Sequence, residues 1–208
     1  MTATRDPRQP REETREETRE ETRETEVKFR LTDRVSFEAR LRELGASCGA
    51  TEHESNVLFD DDRSTLKSAG SALRIRTVEG HGLLTFKGKA SFNAGIKSRL
   101  ELETKVDEPE RLAGILRALG YAPRFTYEKR RTTWTFADPS RPEVVVDETP
   151  IGLFAEIEGE EASVRALAKE LGVPETSFIP QSYVALYQMA RANDPTLPAD
   201  MVFSGDAK

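Results

Sequence analysis

The sequence predicts an α+β protein: an antiparallel sheet of about eight strands, a number that can close into a barrel, with helices flanking it. Two observations predict this. Segment after segment carries charge on every second residue, as in Glu24-Thr-Glu-Val-Lys-Phe-Arg30 and Arg99-Leu-Glu-Leu-Glu-Thr-Lys105, and the side chains of a strand alternate between its two faces. The helices fall between strands without a strict βαβ rhythm, which favours antiparallel pairing over a doubly wound sheet. With charged faces turned inward, such a barrel is a wet tunnel, and its apolar faces pack outward against the helices.

The elements follow in order. Residues 11–22 repeat Arg-Glu-Glu-Thr, and no apolar residue lies between Pro10 and Val27. Residues 1–23 therefore cannot bury a face and read as a disordered tail or a solvated helix with Glu–Arg pairs. Residues 24–31 form the first strand. Ser36 is the expected N-cap of a short helix, Phe37 to Leu44, ended by Gly45. Residues 51–60 form a strand running into Asp60-Asp61-Asp62. Residues 72–79 and Leu83 to Lys87 form a hairpin around Gly80-His81-Gly82. Residues 97–106 alternate again. Pro109 opens a helix that stops at Gly120. Residues 125–136 are a strand turned by Asp138-Pro139-Ser140. Val144 to Asp147 and Leu153 to Glu158 are the last strands. Residues 160–171 form an amphipathic helix with Val164, Leu167, Ala168 and Leu171 on one stripe. A final helix covers Tyr183 to Arg191. The folded unit is thus expected over 24–190, with a loose tail over 191–208 that contains Pro195, Pro198 and Gly205.

Composition sets limits. The chain has 208 residues, 33% of them charged and 37% hydrophobic, with net charge -6. That balance argues against a general nucleic-acid binder. The single cysteine, Cys48, can form no internal disulfide, which fits a reducing cytoplasm. No apolar run is long enough to span a bilayer, and Met1 to Arg8 lack the apolar core of a signal peptide.

Sorted by strand parity, the charges fall into sets. Arg74 and Arg76 share a face, as do Arg99, Glu101 and Glu103. Lys129 and Arg131 share one with Tyr127, and Glu156 shares one with Glu158. Asp147 alternates with Val146, and Lys87 lies on the face of Thr85. Arginine offers forked donors to phosphate oxygens and lysine a compact charge, while carboxylates suit hard divalent metals. Both together are what metal-assisted phosphoryl chemistry needs. Alternation alone is equally the pattern of a half-solvated antiparallel sheet.

The ordered set of motifs resembles the CYTH domains, also called triphosphate tunnel metalloenzymes. That family includes class IV adenylate cyclases, thiamine triphosphatases and inorganic triphosphatases. Glu24-Thr-Glu26-Val-Lys28 fits its opening signature. Leu73-Arg74-Ile-Arg76, Thr85-Phe-Lys87-Gly-Lys89, Arg99-Leu-Glu101-Leu-Glu103, Lys129-Arg-Arg131, Asp147 and Glu156-Ile-Glu158 follow in family order, and Ser182-Tyr183 resembles its C-terminal Ser-Tyr. The likeness covers about residues 24–190 and is nearest to the class IV adenylate cyclase-like branch.

The resemblance implies an eight-stranded tunnel. Lys28, Arg74, Arg76, Lys87, Arg99, Lys129 and Arg131 would hold a triphosphate: ATP, tripolyphosphate or thiamine triphosphate. Glu24, Glu26, Glu101, Glu103, Asp147, Glu156 and Glu158 would face Mg²⁺ or Mn²⁺, directly or through water. Lys87 or Lys129, among like charges, is the expected base or water-positioner. Dimers occur in the family, so a homodimer is open. The rivals are a binding protein for polyphosphate or nucleotide without turnover, which would not need the acids, and a non-catalytic β-domain with solvated faces.

Overall fold

The computed structural model describes residues 23–204. The N-terminal repeat and the last four residues, both read as parts of tails, lie outside the described residues. Strand β1 (Arg23–Arg30) leads into helix α1 (Arg34–Glu43), β2 (Ala46–Asp60), the short α2 (Thr65–Ser68), β3 (Ala72–Val78), β4 (His81–Lys87), β5 (Ser91–Asn93) and β6 (Ile96–Val106). Helix α3 (Pro109–Ala118), β7 (Ala122–Phe136), β8 (Glu143–Thr149), β9 (Gly152–Glu158), α4 (Glu161–Glu170) and α5 (Tyr183–Asn193) follow.

All strand pairs are antiparallel. The order β1-β9-β8-β7-β2-β3-β4-β6 closes on itself because β1 also pairs with β6, Arg23 opposite Leu100 and Glu26 opposite Lys97. This is the predicted eight-stranded barrel. The short β5 pairs Ile96–Ser98 of β6 beyond the stretch paired with β4, so it continues the β4 edge and adds no wall.

The core lies outside the barrel. Val27 and Phe29 of β1, Ala155 and Ile157 of β9, Val144 and Val146 of β8 and Trp134 of β7 point outward. They meet Leu41 of α1 and Val164, Leu167 and Ala168 of α4, all buried. Ala113 and Leu116 of α3 cover Ile75 and Phe59. Every second residue of these strands is thereby committed to the helices, which leaves the charged residues to fill the interior. Among the described residues no helix is long and apolar enough to cross a membrane.

Three expectations are corrected. Helix α1 starts earlier than Ser36, because Asp33 is the cap: its Oδ1 accepts from the Ser36 amide at 3.0 Å and its Oδ2 from the Ser36 hydroxyl at 2.6 Å. Strand β2 begins at Ala46 instead of residue 51. Gly45 turns the chain at φ +87°, and Ala46–Cys48 pair with the far end of β7 across a bulge. Residues 194–203 are not loose. Met201 is fully buried, its amide donates to Thr126 O at 3.0 Å, and its carbonyl accepts from the Glu128 amide at 2.9 Å. The strap covers the part of β7 that β8, paired only with Arg130–Trp134, leaves open.

Candidate functional site

Strand register sets the interior. Across β1 and β9, Lys28 lies opposite Glu156 and Glu26 opposite Glu158. Across β7 and β8, Arg131 lies opposite Asp147. Across β2, Glu54 faces Lys129 and Asn56 faces both Tyr127 and Arg76. Across β4 and β6, Lys87 lies opposite Glu101 and Thr85 opposite Glu103. All seven predicted cations line one cavity of about 730 Å³.

One wall is a continuous ion-pair chain. Lys28 Nζ is 3.0 Å from Glu156, and the second oxygen of Glu156 accepts from Arg131 Nη2 at 2.6 Å. Arg131 also grips Asp147 with a forked pair of hydrogen bonds. Lys129 Nζ is 3.2 Å from Asp147 and 3.3 Å from Glu54, and Glu54 reaches Arg76 at 3.3 Å. Helix α5 closes this wall: Tyr183 donates its hydroxyl proton to Asp147 Oδ2 at 2.8 Å, and its ring lies 4.1 Å below Lys28 Nζ.

The opposite wall is looser. Lys87 stands between Glu24, at 3.2 Å, and Glu101; Lys97 contacts Glu26. Arg74 donates to Thr85 Oγ1 at 3.1 Å and Tyr127 Oη at 3.3 Å, and Thr85 donates to Glu103 at 2.7 Å. The buried Nε atoms of Arg74 and Arg99 have no hydrogen-bond acceptor. Arg99 Nε is 3.5 Å from Glu101, close enough for charge attraction but misaligned for a hydrogen bond. Buried donors without acceptors are uncommon, and both arginines belong to the residues that line the cavity.

Titration follows these surroundings. Burial raises the Glu156 and Asp147 carboxyls, but Lys28, Arg131 and Lys129 outweigh it and hold both below the carboxylate range. Burial and then Arg131 lower the Lys129 ammonium, against the pull of Asp147 and Glu54. Three acids crowd one another on the looser side. Burial and a hydrogen bond to Glu24 push Glu101 up to about 7. Burial with the charges of Glu24 and Glu26 pushes Glu158 up to about 8. Against burial, Glu24 is held at about 2, accepting from Glu101 and facing Lys87.

The seven predicted acids divide. Glu24, Glu26 and Glu156 line the cavity. Asp147 and Glu101 stand behind cations, Glu158 lies across from Glu26 outside the cavity lining, and Glu103 keeps a side chain 41% exposed while pairing with Arg74. Lys87 is not among like charges as expected; it sits between two carboxylates. Glu54, Asn56 and Lys97 were not foreseen as interior groups. The parity of Glu54-Ser-Asn56-Val-Leu58 would have signalled the first two once β2 was given an inner face.

A profile described as CYTH domain matches residues 22–183. A protein of Methanocaldococcus jannaschii named as a proposed adenylate cyclase is 24% identical over 172 residues, 77% of this chain and 96% of that protein. The solved structure of a proposed adenylate cyclase from Vibrio parahaemolyticus superposes with TM-score 0.69 at 20% identity, covering 79% of this chain and 97% of that one. A Hippeastrum protein described as a proposed adenylyl cyclase with a dominant triphosphatase activity gives TM-score 0.62 at 19% identity, covering 86% and 99%.

Proposed function

The chain belongs to the CYTH domain family, and from that premise we propose that it is a divalent-metal-dependent enzyme acting on a triphosphate in its tunnel, as a class IV adenylate cyclase does on ATP. The observation that carries this reading is that seven cations and the acids Glu24, Glu26 and Glu156 line one cavity. Lys28, Arg74, Arg76, Arg99 and Arg131 would bind the phosphate oxygens, with Arg131 already held in fork geometry by Asp147.

The residues present fit Mg²⁺ or Mn²⁺. Among the described residues no three acids form a ready-made cage, since Lys87 and Lys97 stand between them. Mg²⁺ needs only one or two carboxylates when substrate phosphates supply further ligands. The protons retained by Glu101 and Glu158 mark excess negative charge that a divalent cation would neutralise. Glu24 and Glu26, which line the cavity, would hold the metal, with Glu101 and Glu158 beside them in the same acid group; Asp147 and Glu156, already neutralised by cations, would orient Arg131, Lys28 and Lys129. The bound cation would supply charge neutralisation at the phosphate oxygens.

The lowered pKa of Lys129 favours it as the base or water-positioner. In cyclisation the ribose 3′-hydroxyl attacks the α-phosphate, pyrophosphate leaves, and the hydroxyl proton passes to a base in the tunnel, for which Lys129, with its pKa lowered by burial and Arg131, is the candidate. The second reading, attack of water on the terminal phosphate, is favoured by the activity described for the Hippeastrum relative. A panel of ATP, thiamine triphosphate and tripolyphosphate with Mg²⁺ or Mn²⁺ tests both. Equal pyrophosphate and cyclic AMP from ATP supports the cyclase. Orthophosphate release supports the hydrolase. No product from any of the three overturns both.

A further inference from the structure

Tyr127 stands on the inner face of β7 between Lys129 and Phe125, opposite Asn56 of β2, and lines the cavity. Strand β2 separates β7 from β3 in the barrel, yet Arg74 Nη1 of β3 reaches Tyr127 Oη at 3.3 Å. The contact therefore passes through the interior, across β2. The same guanidinium donates through Nη2 to Thr85 Oγ1 at 3.1 Å, which fixes it from the other side. Tyr127, Tyr183 and Tyr187 are all buried where α5 meets the barrel. Tyr183 donates its proton to Asp147, and Tyr187 donates to the carbonyls of Pro198 and Asp200. The Tyr127 hydroxyl accepts from Arg74, and its own proton has no acceptor among the described residues.

A buried hydroxyl normally uses its donor. Here a cation holds the oxygen, which leaves the proton for a ligand rich in acceptors, such as a phosphate. The charged groups facing the phenol are Arg74 and Arg76 of β3 and Lys129 of its own strand. Glu54 of β2 pairs with Lys129 and Arg76, and Glu103 of β6 pairs with Arg74. Helix α5 adds the phenols of Tyr183 and Tyr187, and the strap adds Met201 and, at the neighbouring Thr126 amide, Asp200. Burial alone would raise the Tyr127 pKa, but Arg74, Lys129 and Arg76 outweigh it and hold the phenol below its ordinary 10, which strengthens it as a donor. Lys129, the candidate base, is two residues away on the same strand face, about 7 Å along the backbone. The two heads can thus address opposite sides of one phosphoryl group. We propose that Tyr127 is a catalytic residue that donates a hydrogen bond to a non-bridging oxygen of the phosphoryl group under attack, with Lys129 on the side of the nucleophile. The phenol keeps its proton throughout and stabilises the charge that this oxygen carries in the transition state. This rests on the triphosphate reading of the charged tunnel.

The test compares the full chain with Tyr127→Phe, which removes the hydroxyl and keeps the ring. With Mn²⁺ and whichever of ATP, thiamine triphosphate and tripolyphosphate is turned over fastest, kcat should fall roughly 100-fold while KM stays within about threefold. A residue that only props Arg74 would raise KM and leave kcat unchanged. A second measurement needs neither variant nor turnover, and it decides the matter if Tyr127→Phe does not fold. NMR of ring-labelled tyrosine follows the four phenols of the metal-free chain as pH is raised. One phenol should ionise below 10. Saturating inorganic tripolyphosphate should raise the pKa of that phenol by about one unit, because the ligand accepts from the protonated form. The proposal is overturned if Tyr127→Phe keeps kcat within about threefold, or if tripolyphosphate binds by calorimetry and leaves every phenol titration in place. If tripolyphosphate does not bind and none of the three is turned over, the triphosphate reading falls and takes this proposal with it, an outcome distinct from binding without an effect at Tyr127.

Discussion

Arg131 holds Asp147 with two parallel hydrogen bonds, Nε to Oδ1 at 2.7 Å and Nη2 to Oδ2 at 2.6 Å, and Asp147 is fully buried. The same carboxylate meets Lys129 and the Tyr183 hydroxyl, so it joins β7, β8 and α5 at one point. Removing it strands two buried cations and a phenol. Breaking a buried pair on one side costs about 3–5 kcal/mol. Asp147→Ala should therefore lower Tm by roughly 10 °C, read by thermal unfolding at pH 7. A change within about 2 °C would show that the grip adds no stability.

Stability should fall as pH rises through the neutral range in metal-free protein. Glu101 and Glu158 are raised to about 7 and about 8, above their ordinary 4.5. Between those limits the folded chain keeps protons that the unfolded chain has released, so higher pH favours unfolding. Their contribution is fully present below about 4.5 and lost by about 8. The lowered groups Glu24, Asp147 and Glu156 act in the opposite sense, but their window lies below the ordinary carboxylate range. Without metal, Tm should drop by roughly 5 °C from pH 5 to pH 8. Millimolar Mn²⁺ should restore more of it at pH 8 than at pH 5, because cation and protons compete for the same oxygens. A flat or rising metal-free profile contradicts this.

Glu24 accepts from Glu101, faces Lys87 and lines the cavity. Glu24→Gln keeps the shape and removes the charge. If Glu24 holds the metal, kcat should fall by roughly 100-fold or more, with a smaller change in metal-free affinity for the substrate. The two quantities are separated by steady-state kinetics and by equilibrium binding in chelator. Equal loss in both would make Glu24 a binding group only.

How much was legible follows from the physics of each element. The charges of β1, β3, β6 and β7 stood at two-residue spacing, so parity sorted them, and Lys28, Arg74, Arg76, Arg99, Lys129 and Arg131 all reach the same cavity. Glu54 escaped because Glu-His-Glu-Ser-Asn also fits an exposed polar strand, and only pairing with Lys129 and Arg76 turns it inward. The Asp33 cap was masked by Ser36, an equally good capping type three residues later. The division of the acids depends on which cation each meets across strands, which no local pattern encodes.

The C-terminal strap provides the sharpest test of a failed local reading, because prolines and a glycine made 191–208 look unconstrained. Met201 is fully buried among Tyr127, Tyr187 and Phe154. Asp200 Oδ1 accepts from the Thr126 amide at 2.8 Å, and Tyr187 donates to the carbonyls of Pro198 and Asp200 at 3.0 Å. The strap thus holds α5 against β7, next to Phe125 and Tyr127. Met201→Ala removes a buried side chain from this joint and should cost about 2–5 kcal/mol. Since α5 carries Tyr183 to Asp147, the variant should also raise KM for the substrate more than it lowers kcat. Denaturant unfolding and steady-state kinetics check the two effects, and a Met201→Ala protein with unchanged unfolding midpoint would return the segment to the status of a loose tail.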